Sequence, residues 1–445
     1  MAKTHRLNVA MRRRDFLRTT AAAVGAVALR DGTGPVDWKD WRVNGPRVNQ
    51  HLTDLSRFGA NPQGGVSRVA FTAADIAGRR FAMELMRQAG LAVRIDAVGN
   101  IIGERAGSAR NALPILFGSH IDSVPEGGNY DGDVGSMSAI EVAQTLAERA
   151  YRNRHPLTVV IWCDEESGLT GSRGFIGDLA PAELTTPGRD GVPLADKIRR
   201  IGGDPDRLAK ARHTPGSIAA YVELHIEQGA VLDERGLEIG IVEGIVGIHH
   251  YDVTIHGFAN HAGTTPMDRR RNALLAAAEL TLAVDRIVRS VPGRQVGTVG
   301  RLLVHPGAPN VIPGQVDLTV ELRDLSTSTI TALWDRIHAE ALDIVRKYDT
   351  TLDYVLQHTN DPALSDPQIR AVIADAVAGL NLSSQLMPSG AGHDAQDLAR
   401  IGPMGMIFVP SVKGISHSPL ELTRPEDVTN GANVLLQTIL RLDQR

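Results

Sequence analysis

The sequence predicts an α/β fold in two parts, on three observations. Short β-branched runs alternate with amphipathic helical stretches from Asn49 to about Val246, the pattern of strands layered with helices. Between about Gly247 and Gln357 the order becomes βαββαβ, that of the ferredoxin-like unit. The first pattern then resumes near Pro367, so the middle section reads as an insert. The expected organisation is a lead over 1–45, a first α/β part over 46–246, the inserted domain over 247–358 and a second α/β part over 359–445.

The elements follow in chain order. Phe71–Gly90 is amphipathic through Ile76, Phe81, Leu85 and Met86, with Gly90 as a stop. Leu91–Ile95 and Ile101–Glu104 read as strands. Pro114–Phe117 is a short, continuous apolar run bounded by Pro and Gly, as a buried strand is. A helix is expected over Val134–Ala150 and a second β-branched strand over Leu157–Cys163. Pro181–Pro215, rich in Gly, Pro and charge, reads as loops with one short helix. Ala219–His225 is the next strand. In the insert, Tyr251–Ile255 alternates as a half-buried strand. Helices over Asn272–Ser290 and Thr327–Lys347 flank strands over Val296–Val304 and Val316–Leu322, and Leu352–Leu356 closes the set. Gln368–Leu380 is helical, Gly405–Val409 is a strand, and a final helix starts near Pro425, a favoured first-turn residue.

Composition narrows the function. Lys and Arg number 47 against 51 Asp and Glu, a net charge of −4. With no basic helix and no aromatic–basic interleaving, this sets the chain against nucleic-acid binding. The single cysteine, Cys163, excludes an intrachain disulfide framework and reads as a small buried apolar residue. Arg12-Arg13-Arg14-Asp15-Phe16-Leu17-Arg18 before the weakly apolar run Ala21–Leu29 resembles a twin-arginine export signal. That run is too short to span a bilayer, so no stable membrane association is expected. The expected location is the periplasm or beyond, with the cytoplasm as the alternative.

Polar residues collect where the strands end. His120 and Asp122 follow the strand at Phe117 with period-two spacing, and Asp131 lies on the glycine-rich loop Gly127–Gly132. Taken alone, this stretch suits a metal site or a polar loop with an incidental histidine. Glu165 and Glu166 end the Leu157–Cys163 strand, His225 ends the next, and His417 stands in Gly414–Pro419. Two adjacent glutamates ending a buried strand need partners, since ionised carboxylates are costly to desolvate. Imidazole and carboxylate donors without a thiolate cluster put zinc first, with manganese or cobalt as alternatives.

Seven motifs in this order carry a resemblance to a family. They are Gly-Ser-His-Ile-Asp-Ser, Gly-Gly-Asn-Tyr-Asp-Gly, Asp-Glu-Glu, Glu-Leu-His-Ile-Glu-Gln-Gly, Asn-His-Ala-Gly-Thr-Thr-Pro-Met, Pro-Asn-Val-Ile-Pro-Gly and Ser-His-Ser-Pro. The chain resembles the di-zinc amidohydrolases related to aminoacylases and carboxypeptidases, within them the hydantoinase/carbamoylase branch. That branch comprises N-carbamoyl-L-amino acid hydrolases, β-ureidopropionases and allantoate amidohydrolases. The fold implied is a metallopeptidase-like α/β catalytic domain with an inserted lid and dimerisation domain. The resemblance further implies two divalent ions per subunit. His120 and His225 would hold one, Glu166 and His417 the other, and Asp131 would bridge them. Asp122 would orient His120, and Glu165 would be the general base. His261 would reach the active site of a second copy in a homodimer, and Asn310 and Arg323 would hold the carboxylate of a small-molecule substrate. A guanidinium matches a carboxylate with two parallel bonds, which suits Arg323 to that role. Gln228 would contact the ureido group, and Gly390, Ala391 and Gly392 would form a substrate-facing loop, beside which His393 is either substrate-facing or a brace.

The implied activity is cleavage of the N-carbamoyl C–N bond, with allantoate or an ordinary acyl amide as alternative substrates. A non-catalytic binding protein of the same fold is the competing class, and the retained Glu165 stands against it. The segment after Glu166 departs from many branch members: it reads as a shortened loop lacking an Arg-Phe pair, which bears on specificity.

Overall fold

Buried runs of Ile, Val and Leu build the larger of two sheets in the computed structural model, which describes residues 38–445, Arg189 apart. The twin-arginine-like stretch lies outside the described residues. Of the strands, β1 (Ala92–Ile95), β2 (Ile101–Arg105), β3 (Ile115–His120), β4 (Leu157–Trp162), β5 (Ala220–Ile226) and β6 (Ile239–Ile245) come first. The insert supplies β7 (Gly247–His256), β8 (Asn260–His261), β9 (Val296–His305), β10 (Val311–Ile312), β11 (Gln315–Asp324) and β12 (Thr351–Asn360). β13 (Ala363–Leu364), β14 (Ser384–Ser389) and β15 (Met404–Val409) return to the large sheet. Its nine strands run in the order β1-β2-β4-β3-β5-β15-β6-β13, with β14 also on β6.

Four neighbours in that order, β4, β3, β5 and β15, are mutually parallel. Their carboxyl ends therefore share one edge, the place where open α/β sheets put their ligand sites. Every residue of β3, β4, β5 and β15 is buried, the mark of strands covered on both faces. The Asp133–Glu148 and Pro425–Asp443 helices pack together on this sheet.

The insert has its own sheet, β12-β7-β11-β9, antiparallel throughout. Numbered within the insert this is 4-1-3-2, the ferredoxin-like order expected from βαββαβ. One face alternates cleanly inward: Tyr251, Val253 and Ile255 from β7, and Val316, Leu318, Val320 and Leu322 from β11. These meet Leu280, Val284 and Ile287 of the Ala273–Ser290 helix and Leu333, Ile337 and Ile344 of Thr327–Lys347. Each such fully buried side chain contributes about 1.5–3 kcal/mol. Trp334 stacks on Tyr251 with ring centroids 3.6 Å apart.

The structure adds elements to the sequence reading. Gly45–Leu55 is a helix, capped by the Asn44 side chain, with only Val48, Leu52 and Leu55 as buried apolar residues in a polar run. Residues 181–215 hold three short α-helices rather than one, Pro181–Thr185, Leu194–Arg200 and Leu208–Ala211, the last preceded by a 3-10 turn at Pro205–Arg207. At four to seven residues each they are too short for a periodic pattern to show. β6, broken by Gly240 and Gly244, and β14, partly exposed along its length, carry no strand signature either.

Candidate metal centre

Each cluster residue sits where the fold brings a strand end to the shared edge. His120 is the last residue of β3, and Glu165 follows β4 after a left-handed Asp164 (φ 56°) that turns the chain into a short helix. His225 stands near the end of β5, with Glu223 two residues earlier in the same strand. His417, at φ 52°, is in the loop after β15. Asp131 reaches in from the loop before the Asp133–Glu148 helix. Its neighbour Gly132 has φ 67°, and a Cβ there would come within 2.4 Å of the His120 ring, so only glycine lets the loop close on the histidine.

The donors form two triads sharing Asp131: His120, Asp131 and His225, and Asp131, Glu166 and His417. Asp131 Oδ1 lies 3.5 Å from His120 Nε2 and 3.2 Å from His225 Nε2. Its Oδ2 lies 3.4 Å from His417 Nε2, which stands 3.5 Å from Glu166 Oε2. Ligands bound about 2.0–2.1 Å from one zinc ion at the tetrahedral angle stand about 3.3 Å apart, so this spacing suits a small divalent cation.

The tautomers suit it too. His120 Nδ1 is 3.0 Å from the Asp122 carbonyl oxygen, and His225 Nδ1 is 2.9 Å from that of Ile226. Each Nδ1–H donates to a carbonyl, which turns Nε2 toward the cluster. The two Nε2 atoms are 3.5 Å apart, a repulsive arrangement that a cation between them relieves.

Charge points the same way. Burial pulls the His120 imidazole down, but Glu165, Asp131 and Asp122 outweigh it and hold it well above its ordinary value. Burial opposes ionisation of Asp131 as well, yet His225, His120 and His417 hold its carboxyl well below the usual range. His417 is pushed up to about 9, first by its hydrogen bond to Asp131. Burial pushes Glu166 up to about 7, with the Asp131 charge next. Burial likewise drives Glu165 well above the usual range, opposed by His120 and reinforced by Asp394 and Glu166. Carboxylates crowded in a dry site draw protons onto the imidazoles, and bound divalent cations satisfy the same field.

Glu165 Oε2 lies 3.8 Å from His120 Nε2, inside the cluster. The Asp122 carboxylate is placed differently from the sequence expectation. It stands 3.9 Å from His120 Nδ1 and instead accepts from the backbone N–H of Glu165 (3.2 Å) and Glu166 (3.3 Å). It thus anchors the turn that aims both glutamates. Gln228 donates from Nε2 to Asp131 Oδ2 at 2.7 Å, and Glu166 Oε1 accepts from Val124 N.

Several supports have no signature of their own in the sequence. Glu421 Oε1 accepts from Tyr130 N and Asp131 N, and the Ser416 hydroxyl lies between the two carboxylates, 3.0 Å from Asp131 Oδ2 and 2.9 Å from Glu421 Oε2. Their proximity to His417 is the only signal that could have found them. Arg68, 1 % exposed, pairs with Asp133 and donates to the carbonyls of Ile121, Leu55 and Phe58. It fixes the peptide between His120 and Asp122. His393 is buried as a brace: Nε2 meets Ser389 Oγ at 2.9 Å and its ring packs against His225 and Phe408. The segment after Glu166 is helical rather than a loop, Glu165–Gly168 and Thr170–Ile176, broken at Leu169 (φ 53°).

The remaining site candidates lie outside the cluster, except that Gln228 bonds Asp131 and also faces a neighbouring cavity. Gln228, Arg323, Gly390 and Ala391 line a cavity of about 600 Å³. Gly392 is exposed beside that loop. Arg323 bonds Glu321 and the Gly390 carbonyl, each at 2.6 Å. His261 and Asn310 sit together on the β8–β10 ribbon, where Ala262 N donates to Asn310 O. Both are exposed, and among the described residues none of their hydrogen bonds reaches the cluster.

A shared-carboxylate double triad on the carboxyl edge of a parallel sheet, with a free glutamate beside it, defines a metal-dependent hydrolase. The sequence profile of peptidase family M20/M25/M40 matches residues 116–441, and the chain belongs to that family. An N-carbamoyl-L-amino acid amidohydrolase of Geobacillus stearothermophilus is 41 % identical over 90 % of this chain and 99 % of its own. A ureidoglycolate hydrolase of Arabidopsis thaliana is 39 % identical over 90 % of this chain and 87 % of its own. A solved amidase of the hydantoinase/carbamoylase family from Burkholderia multivorans superposes with a TM-score of 0.85 at 34 % identity, covering 91 % of this chain and 99 % of that one. The protein is a hydrolase of C–N bonds.

Proposed function

We propose that the protein hydrolyses the ureido group of N-carbamoyl amino acids, taking up water and releasing the amino acid, CO2 and ammonia. The observation that carries this is Asp131, whose two oxygens face separate triads. The relatives support the ureido group in particular, because the proteins named for N-carbamoyl amino acids and for ureidoglycolate both act on it.

His120, His225 and Asp131 would hold one divalent ion, and Glu166, His417 and Asp131 the other, zinc first with manganese or cobalt as alternatives. Such ions polarise a carbonyl oxygen and lower the pKa of water to near neutrality. Glu165 then takes the water proton on its carboxylate and returns it to the leaving nitrogen. Asp122 holds the two glutamates in register through their backbone N–H groups. Arg323 and Asn310 take the substrate carboxylate. His261, supplied by the second copy of a homodimer, polarises the ureido carbonyl. Its Nδ1 accepts from Gly263 N (3.0 Å) and Thr264 N (3.2 Å), which leaves the proton on Nε2, the outward donor this role needs. The domain division at 246/247 and 358/359 and export through the twin-arginine route belong to the same reading.

Assay of N-carbamoyl-L-amino acids, N-carbamoyl-β-alanine and allantoate with added zinc, manganese or cobalt tests it. Turnover of none would end the proposal. Glu165→Gln is expected to lower kcat about a hundred- to ten-thousand-fold while both ions stay bound by elemental analysis. A variant that keeps its rate would make the protein a binder. A fully active monomer in sedimentation would remove the role given to His261.

A further inference from the structure

The cavity next to the metal centre carries more positive charge than one substrate carboxylate requires. Gln228 belongs both to the cluster, through its bond to Asp131, and to this cavity of about 600 Å³. That volume exceeds what a small ureido acid fills. Three guanidinium groups line it: Arg323 from β11, Arg294 from the turn before β9, and Arg235 at the end of the short Val231–Arg235 helix.

Two of the three have a carboxylate partner outside the cavity as well as a face toward it. Arg323 pairs with Glu321, and Arg294 with Glu243. Neither glutamate lines the cavity. The single carboxylate that does, Glu227, is committed, accepting from Val231 N at 2.9 Å and Leu232 N at 2.8 Å at the start of the Val231–Arg235 helix. Arg235 is different. Its side-chain hydrogen bond goes to a neutral acceptor, Gln385 Oε1, at 2.9 Å, and among the described residues it has no carboxylate partner. Arg235 is exposed, so its guanidinium is open to a ligand's carboxylate, which it matches with two parallel bonds.

We propose that Arg235, positioned by Gln385, is a second carboxylate subsite, so that the preferred substrates are N-carbamoyl amino acids whose side chains end in a carboxylate. This rests on the ureido reading above. Arg323 takes the carboxylate next to the ureido nitrogen, and Arg235 takes the one on the side chain. The apolar lining supplied by Val231, Leu386 and Met387 would cover the methylenes between them.

The test compares kcat/KM for N-carbamoyl-L-glutamate and N-carbamoyl-L-glutamine, which differ only in that terminal group, on the full chain loaded with zinc. A charge-assisted bond of about 1.5–3 kcal/mol corresponds to roughly a ten- to hundredfold preference for the acid. Arg235→Gln is expected to bring the ratio close to one, and Arg235→Lys to retain part of it. A merely structural role would lower both substrates together and leave the ratio unchanged. Equal use of acid and amide by the wild type, or a ratio unmoved by Arg235→Gln, overturns the proposal. Binding of N-carbamoyl-L-glutamate by calorimetry reads the subsite without turnover. Weaker binding by Arg235→Gln supports it even where no carbamoyl compound is cleaved and the ureido reading has failed. Equal affinity overturns it.

Discussion

Asp131 is 6 % exposed and is held by the Gln228 amide, the Ser416 hydroxyl, three imidazoles and its own N–H on Glu421. His261 is exposed, and its ring accepts only from the backbone of its own turn. The two regions differ in how many neighbours decide a side chain's position. Around Asp131 each donor is fixed by a further residue: His120 by the Asp122 carbonyl, His225 by that of Ile226, and the glutamates by the Asp122 carboxylate. Such a site is preorganised, and its cost falls on folding rather than on each turnover. The β8–β10 ribbon is two residues deep on each strand and leaves its functional groups facing water. The sheet edge holds its polar groups in a fixed network, and the ribbon leaves His261 and Asn310 open to solvent.

The comparison breaks first at Arg68. Arg68→Ala leaves the Asp133 carboxylate buried without its cation and the Ile121 carbonyl without its donor. A loss of about 3–5 kcal/mol in urea unfolding is expected. Arg68→Ala/Asp133→Ala should recover part of it, as a coupled pair does. If both variants unfold like the wild type, the cluster is not braced from behind.

A second effect is pH-dependent. Asp75, 3 % exposed, has its carboxyl pushed up to about 6, chiefly by burial. Between about pH 4 and 6 it stays protonated in the native state and ionises in the unfolded chain. Its contribution is therefore complete below pH 4 and lost as pH rises through 6, at most about 3 kcal/mol for a shift of about two units. Asp75→Asn should flatten the fall in stability over that window in denaturant titrations at stepped pH. An unchanged slope would assign the fall to other groups.

The smallest stability effect belongs to the ribbon. His261→Ala should change unfolding free energy by under about 1 kcal/mol, as exposed substitutions do. It should still lower kcat/KM about a hundred- to thousandfold, as loss of one donor to a developing oxyanion does. Equal losses of stability and rate would mean that the ribbon is structural.

The sequence pointed to His120, Glu165 and Glu166 because they follow apolar runs that read as strands, Ile115–Phe117 and Leu157–Trp162, and the sheet brings those strand ends to one edge. The ferredoxin-like insert was legible because two long amphipathic helices and alternating strands fix its order. What supports the ligands was not. Arg68 lies 65 positions from Asp133, and Glu421 lies 290 from Asp131, so no local pattern joins them. Which atom of Asp122 meets His120 was not legible for a related reason. Its spacing from His120 shows that the side chains can share a face, but not that the backbone carbonyl would take the histidine's Nδ1–H.

The position of β15 has a consequence for the order in which the molecule is made. It lies between β5 and β6 in the sheet, yet β5 and β6 are synthesised some 160 residues earlier, with the whole insert in between. Until Met404–Val409 emerges, β5 and β6 lack the strand that joins them, and one triad lacks His417. All four strands of the insert's sheet are made before β15, whereas the large sheet must wait for its most distant strand. The second triad is thus complete only after β15 and the loop that carries His417 have been made.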